Sequence, residues 1–169
     1  MDLPRDEMAF RKRYEKLLLE QEITTVFRPG TRVYPNRRGY MLGETVIARV
    51  IERCGSDALG VPPVFNEMRI PIMISSLTVK MIDDFRDDDF EGSSPDIFDR
   101  DSLETHLVKI YRTPIESFGG AVTRIQFRYI EENVAAAPGA GRSGAIALAT
   151  GSGNRAHRTP ASPPCFTGA

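Results

Sequence analysis

Between residues 69 and 82 the apolar side chains alternate, and the alternation changes phase: Ile70, Ile72 and Ile74 hold even positions, Leu77, Val79 and Met81 odd ones. Successive strand residues face opposite sides of a sheet, so a strand with this pattern must break or accommodate an extra residue at Ser75-Ser76. Either device bends the sheet, and a bent sheet with apolar residues inside closes towards a barrel. Pro71 lacks an amide hydrogen, which predicts that the first half of this strand lies on an edge.

The chain up to about residue 132 supplies partners for that strand. Residues 8–21 carry Phe10, Tyr14, Leu17 and Leu18 at helical spacing, with Arg11, Lys12, Arg13, Glu15 and Lys16 opposite and Asp6 as N-cap. That spacing predicts a helix. Residues 23–28 (ITTVFR) are β-branched and aromatic and stop at Pro29-Gly30, as a strand entering a turn does. Pro35, Asn36, Gly39 and Gly43 predict a structured loop over 31–43. Residues 44–53 (ETVIARVIER) are apolar on both faces, which predicts a strand buried on both.

A second helix is expected over 101–111, with Leu103, Leu107, Ile110 and Tyr111 on one face, an Asp101/Glu104 cap and a stop before Pro114. Residues 121–130 close the domain as a strand, with Ile125, Phe127 and Tyr129 inward and Arg124, Gln126 and Arg128 outward. The expected fold is α+β, a curved sheet or partly closed β-barrel with two peripheral helices. After residue 132 the composition turns to Ala, Gly, Pro, Ser and Thr without an acid. Such a stretch buries too little surface to offset its ordering entropy, so the expected division is a domain over 1–132 and a disordered tail over 133–169.

A net charge of −1 provides no overall attraction to nucleic acid or membrane, so any electrostatic attraction must be local. The opening MDLPRDEMAF mixes acids and bases unlike a signal peptide, and no apolar run is long enough to cross a bilayer. Cys54 and Cys165 have no metal-ligand spacing and make no disulfide framework, with Cys54 expected as a small core or rim residue. These features predict a cytoplasmic protein without membrane contact, metal or cofactor.

The local charge is informative. Residues 23–43 contain four arginines, Arg28, Arg32, Arg37 and Arg38, and no acid, interleaved with Phe27, Tyr34 and Tyr40. Guanidinium forks for phosphate beside aromatic faces for bases are what single-stranded RNA or a nucleotide requires. Residues 83–104 are the counterpart, with ten acids against Arg86 and Arg100. Asp87, Asp88 and Asp89 suit a cation or proton transfer in type, but consecutive residues cannot converge on one point and calcium-loop spacing is absent. A solvated acidic loop is the simpler expectation. His106 borders the apolar stripe of the second helix as a satisfied boundary histidine.

The order of elements resembles the ASCH domains of the PUA-like superfamily over roughly residues 10–129. The words that carry the resemblance are FRKRYEKLLL running into ITTVFR, then GYMLGETVIARVIE, DSLETHLVKIY and TRIQFRYI. It implies a PUA-like barrel with a cleft for RNA or a nucleotide. The family signature, Gly-x-Lys-x-x-Glu-x-Arg, falls on Gln21, Ile23, Val26 and Arg28, so only the arginine is kept and the lysine-dependent hydrolase activity is not implied. Thr24 and Thr25 keep hydroxyls near that cleft, and Asp88 or Asp89 falls about where the family's later acid would.

The leading expectation is an RNA- or nucleotide-binding module using Arg28, Arg32, Arg37 and Arg38, with Tyr34 or Tyr40 stacking. One alternative is a hydrolase of a modified nucleoside or RNA, with Thr24, Asp88 and Asp89 as catalytic candidates. The other is a protein-interaction module whose acidic loop meets a basic partner.

Overall fold

The computed structural model describes residues 6–56 and 59–130; the expected tail over 133–169 lies outside them. Five strands form one sheet: β1 (Glu7–Arg11), β2 (Thr25–Pro29), β3 (Thr45–Arg53), β4 (Val64–Met81) and β5 (Ala121–Tyr129), in the order β1-β3-β4-β5-β2. β1 runs parallel to β3 and the other pairs are antiparallel. The sheet curls into a half-barrel flanked by two α-helices, α1 (Glu15–Leu19) and α2 (Arg100–Tyr111), so the expected α+β fold is observed.

The phase change in β4 is the bend. Ile72 and Ile74 are buried on one side, and the register with β5 slips between Ile74 and Ser76. Beyond the slip the odd residues follow, and Leu77 packs against the core that holds Ile72 and Ile74. The bulge keeps one apolar surface facing inward along an 18-residue strand. Pro71 is not on an edge, because β4 lies between β3 and β5. Its carbonyl accepts from the Ile130 amide (3.1 Å), so its imide nitrogen also faces the β5 side, just past Tyr129 where β5 runs out. The missing amide hydrogen falls beyond the ladder.

The expected helix over 8–21 is corrected in its first half. Residues Glu7–Arg11 are a strand in register with Ile47–Ile51, followed by a 3₁₀ turn (Lys12–Tyr14) and then α1. Met8 and Phe10 are buried at period two, while Tyr14 and Leu18 are buried at period four. Both periods are present in one short stretch, and the open edge of β3 decided between them.

Two apolar clusters flank the sheet. The inner one joins Met8 and Phe10 to Val46, Ala48, Val50, Ile72, Ile74, Ile125 and Phe127. The other packs Phe27 and Val122, from the opposite face, against Phe85, Phe90, Ile97, Leu103, Leu107 and Ile115 beneath α2. The N-cap of α2 is Asp99 rather than Asp101: its Oδ1 accepts from the Ser102 amide (2.7 Å), and the Ser102 hydroxyl oxygen accepts from the Asp99 amide (3.0 Å). The segment before α2 is tied to β2 at Gly92, whose carbonyl accepts from the Thr24 and Thr25 amides at 2.8 and 2.9 Å. A side chain at Gly92 would overlap Thr24 Oγ1 and would have to tolerate φ +72°.

Candidate anion-binding site

β1 and β2 are the outermost strands of the curl, and their meeting is where the basic residues gather. Arg28 of β2 reaches across and donates from Nη2 to the Ala9 carbonyl of β1 (2.8 Å). This satisfies one acceptor on the side of β1 that no described strand pairs, and places a guanidinium at the seam. Arg11, the last residue of β1, stands at the same end.

The loop over 31–43 is ordered by its own backbone, as its Pro, Asn and Gly content predicts. Asn36 donates from its amide to the Val33 carbonyl (3.0 Å), Gly39 to Asn36 (2.9 Å) and Tyr40 to Arg32 (2.9 Å). A Cβ at Gly39 would overlap the Val33 and Tyr34 backbone, and Arg38 takes the left-handed conformation at φ +58°. The Arg32 amide donates to Thr123 Oγ1 (2.8 Å), and its Nε donates to the Pro29 carbonyl (3.1 Å). The loop therefore returns Arg32, Arg38 and Tyr40 towards the seam as a set.

The ionisation of Arg11, Arg32 and Tyr40 is biased in a common setting. Burial holds the Arg11 guanidinium below the usual arginine range, and the charges of Arg13 and Arg28 push it the same way. Burial likewise lowers Arg32, with Arg28 and Arg38 adding to the effect while Tyr111 and Tyr40 oppose it. Tyr40 is raised, first by burial, against the pull of Arg28 and Arg32. Arginine remains protonated through such shifts, so these groups stay cationic at neutral pH.

Some of the predicted site residues therefore converge and others do not. Arg28, Arg32 and Arg38 do. Tyr34, 53% exposed, and Arg37 stand on the outside of the loop. Tyr40 packs against the inner core, so it is not an open stacking surface. Thr24 is held against Gly92.

Asp89 is far from solvated. Both its oxygens accept from Lys80 Nζ (2.8 and 2.7 Å), Oδ2 accepts from the Arg86 amide (2.9 Å), and Arg124 Nη1 lies 3.6 Å from Oδ1. The Asp88 carbonyl accepts from Arg124 Nη2 (3.4 Å). The acidic turn thus answers Lys80 and Arg124, while Thr24 is held at Gly92 and Arg28 at the Ala9 carbonyl. Cys54 is disulfide-bonded, which corrects the expectation of a chain without disulfides. Among the described residues no group of three or more His, Cys, Asp or Glu is placed to hold a metal, and no helix is long and apolar enough to cross a membrane.

Arg11 and the Asp96–His106 pair are missing from the expected site. Arg11 falls on the polar face of the helix expected over 8–21, whereas the period-two spacing of the apolar Met8 and Phe10 is the sequence signal for the strand that carries it. Asp96 is a hub: Arg13 Nη2 donates to Oδ2 (2.7 Å), the Tyr14 hydroxyl lies 2.9 Å from the same oxygen, and His106 Nδ1 is 3.0 Å away. Burial pushes the Asp96 carboxyl up, but hydrogen bonds from Ser94 and Tyr14 and the charges of His106 and Arg13 hold it below its ordinary value.

His106 is lowered to about 4, chiefly by burial and also by Arg13 and Arg28, against Asp96, which raises it. Its folded pKa is below the unfolded one, so between about pH 6.5 and pH 4 the unfolded chain binds the extra proton and stability falls on acidification. The expected loss from pH 7 to pH 4 is about 3 kcal/mol, the fall from 6.5 to about 4 taken at roughly 1.4 kcal/mol per pH unit and nearly complete at pH 4. Urea denaturation across that range should show it, and His106→Gln should flatten the slope; an unchanged slope in the variant would exclude His106 as the source.

No protein-family model matches the chain, and neither a curated protein nor a solved structure matches it.

Proposed function

We propose that this protein binds RNA or a nucleotide through the arginines at the β1–β2 seam, Arg11, Arg28, Arg32 and Arg38, with Tyr34 and Arg37 on the outer side of the loop. The observation that carries the reading is the convergence of these arginines. They come from two edge strands and two positions of one loop; Arg28 donates across to the Ala9 carbonyl of β1, and Arg32 is held by its Nε over the Pro29 carbonyl at the end of β2. A fold pays desolvation and repulsion to assemble such a group, and a phosphate returns both as charge-assisted hydrogen bonds.

An ASCH-like module without the family's lysine-dependent hydrolysis fits the same residues. Gln21, at the place of the signature's glycine, takes the left-handed φ of +58° that a glycine favours. Ile23, at the place of the lysine, is a core residue with 2% exposure and presents no amine to a cleft. Arg28, the retained residue, sits at the seam.

Fluorescence anisotropy with a labelled single-stranded RNA tests the reading. Arg28→Ala would also open the seam, so the informative variant is Arg32→Ala with Arg38→Ala. Two lost charge-assisted contacts should weaken binding by at least about tenfold and reduce the salt slope by roughly 0.7 per phosphate released. Undiminished affinity in a variant that melts like the parent, or binding insensitive to salt, would refute it.

A further inference from the structure

We propose that Cys54 is bonded to Cys165, so that the end of the chain is fastened to the turn between β3 and β4, with residues 164–166 (Pro-Cys-Phe) as the occupant of the exposed apolar surface there.

Cys54 is disulfide-bonded, and the chain has two cysteines, Cys54 and Cys165. The competing partners are a second copy of the chain and a small thiol, and chain reach favours Cys165 over both. β5 delivers the chain at Ile130, whose amide donates to the Pro71 carbonyl (3.1 Å), and Pro71 is in register with Ile47 of β3. β3 runs from there to Arg53, immediately before Cys54, a distance of about 20–25 Å at the strand rise. A coil of the length of residues 131–164 has a root-mean-square span of about 30–35 Å. The two lengths match, and a tether that matches its span presents its end at an effective concentration of about a millimolar or more. A second copy meets Cys54 only at its own bulk concentration.

The receiving surface is built by the turn itself. Ser56 and Val61 exchange both backbone hydrogen bonds (2.8 and 2.9 Å), and Arg53 is in register with Val64. Gly55 lies so close to the returning arm that a Cβ there would stand 2.4 Å from the Val61 carbonyl oxygen and 2.6 Å from the Pro63 nitrogen. The two arms are thus held together beside Cys54, which is half-buried. Leu59, Val61 and Val64 nevertheless remain exposed, at 79%, 48% and 42%. Three aliphatic side chains on one turn gain from being covered, and Phe166, next to Cys165, brings an aromatic ring to them.

The bond forms by thiol–disulfide exchange. The thiolate of one cysteine attacks a low-molecular-weight disulfide such as oxidised glutathione and releases one small thiol; the thiolate of the other attacks the mixed disulfide and releases the second. Two electrons pass from the cysteines to that disulfide, and the two cysteine protons are balanced by those on the released thiols. A reducing thiol pool runs the exchange backwards and frees the chain end.

The full chain is equilibrated in glutathione buffers of graded ratio, quenched with an alkylating reagent and digested with trypsin, which places the two cysteines in peptides 54–69 and 159–169. Mass spectrometry should find these peptides joined by one disulfide in monomeric protein, and separate after reduction. Phe166→Ala and Leu59→Ser should each require at least about threefold more oxidised glutathione for half-bonding, because less apolar surface is covered. A bond between the Cys54 residues of two copies, glutathione retained on Cys54 as the main oxidised form, or two alkylated thiols at every ratio would overturn the pairing. An unchanged half-bonding ratio in both variants would overturn the seating of residues 164–166 on the turn.

Discussion

Asp89→Ala is expected to cost about 3–5 kcal/mol of folding stability at pH 7, the range for removing one partner of a buried ion pair. The Asp89 side chain is 5% exposed and holds Lys80, the Arg86 amide and the edge of Arg124 together. The substitution leaves Lys80 and Arg124 against an apolar wall formed partly by Phe85, over which Lys80 sits at 5.8 Å. Burial pushes the Asp89 carboxyl up, but Lys80, the Arg86 amide and Arg124 outweigh it and hold the pKa below the ordinary value. Its contribution is therefore complete above the unfolded value near 4 and is lost as pH falls through the folded one. Urea unfolding at pH 7 checks the magnitude. A loss below about 1 kcal/mol would mean that water already reaches the pair. The result bears on the fold, since Asp89 ties the Asp87–Phe90 turn to Lys80 of β4 and Arg124 of β5.

Phe10→Ala should cost a similar amount, about 3–5 kcal/mol, and should weaken RNA binding as well. Phe10 is 4% exposed, with its ring edge-on to Phe127 at 6.1 Å. β1 is a five-residue edge strand whose attachment depends on Met8 and Phe10 entering the inner core. Removing the ring loosens the strand that carries Arg11 and the carbonyl that accepts from Arg28. Thermal denaturation and RNA titration on the same sample should move together, with Phe10→Leu showing a smaller change in both. A large stability loss with RNA affinity intact would place the binding surface away from the seam.

The candidate site was partly legible because composition marks it. An acid-free run containing Arg28, Arg32 and Arg38 is visible without any fold, and so is the turn chemistry that orders the loop around Gly39. Tyr40 was legible as an aromatic but not as an inward one, because its direction is set by the core it meets. Arg11 was hidden by the strand-or-helix ambiguity of its segment. The Asp96–His106 contact joins residues ten apart across a helix start, and no local pattern announces it.

Local chemistry alone determined the bulge in β4, the strand character of β2, β3 and β5, the stripe of α2 and the basic loop, since periodicity, β-branching and turn residues act over a few positions. Only the tertiary structure decided that residues 7–11 pair with β3, that Pro71 lies inside the sheet, that the acidic turn answers Lys80 and Arg124, and that Arg28 of β2 crosses to the Ala9 carbonyl of β1. The physical reason is common to all four. Each depends on which edge, carbonyl or charge is left unsatisfied once the sheet has curled, and that is settled by residues distant in the chain.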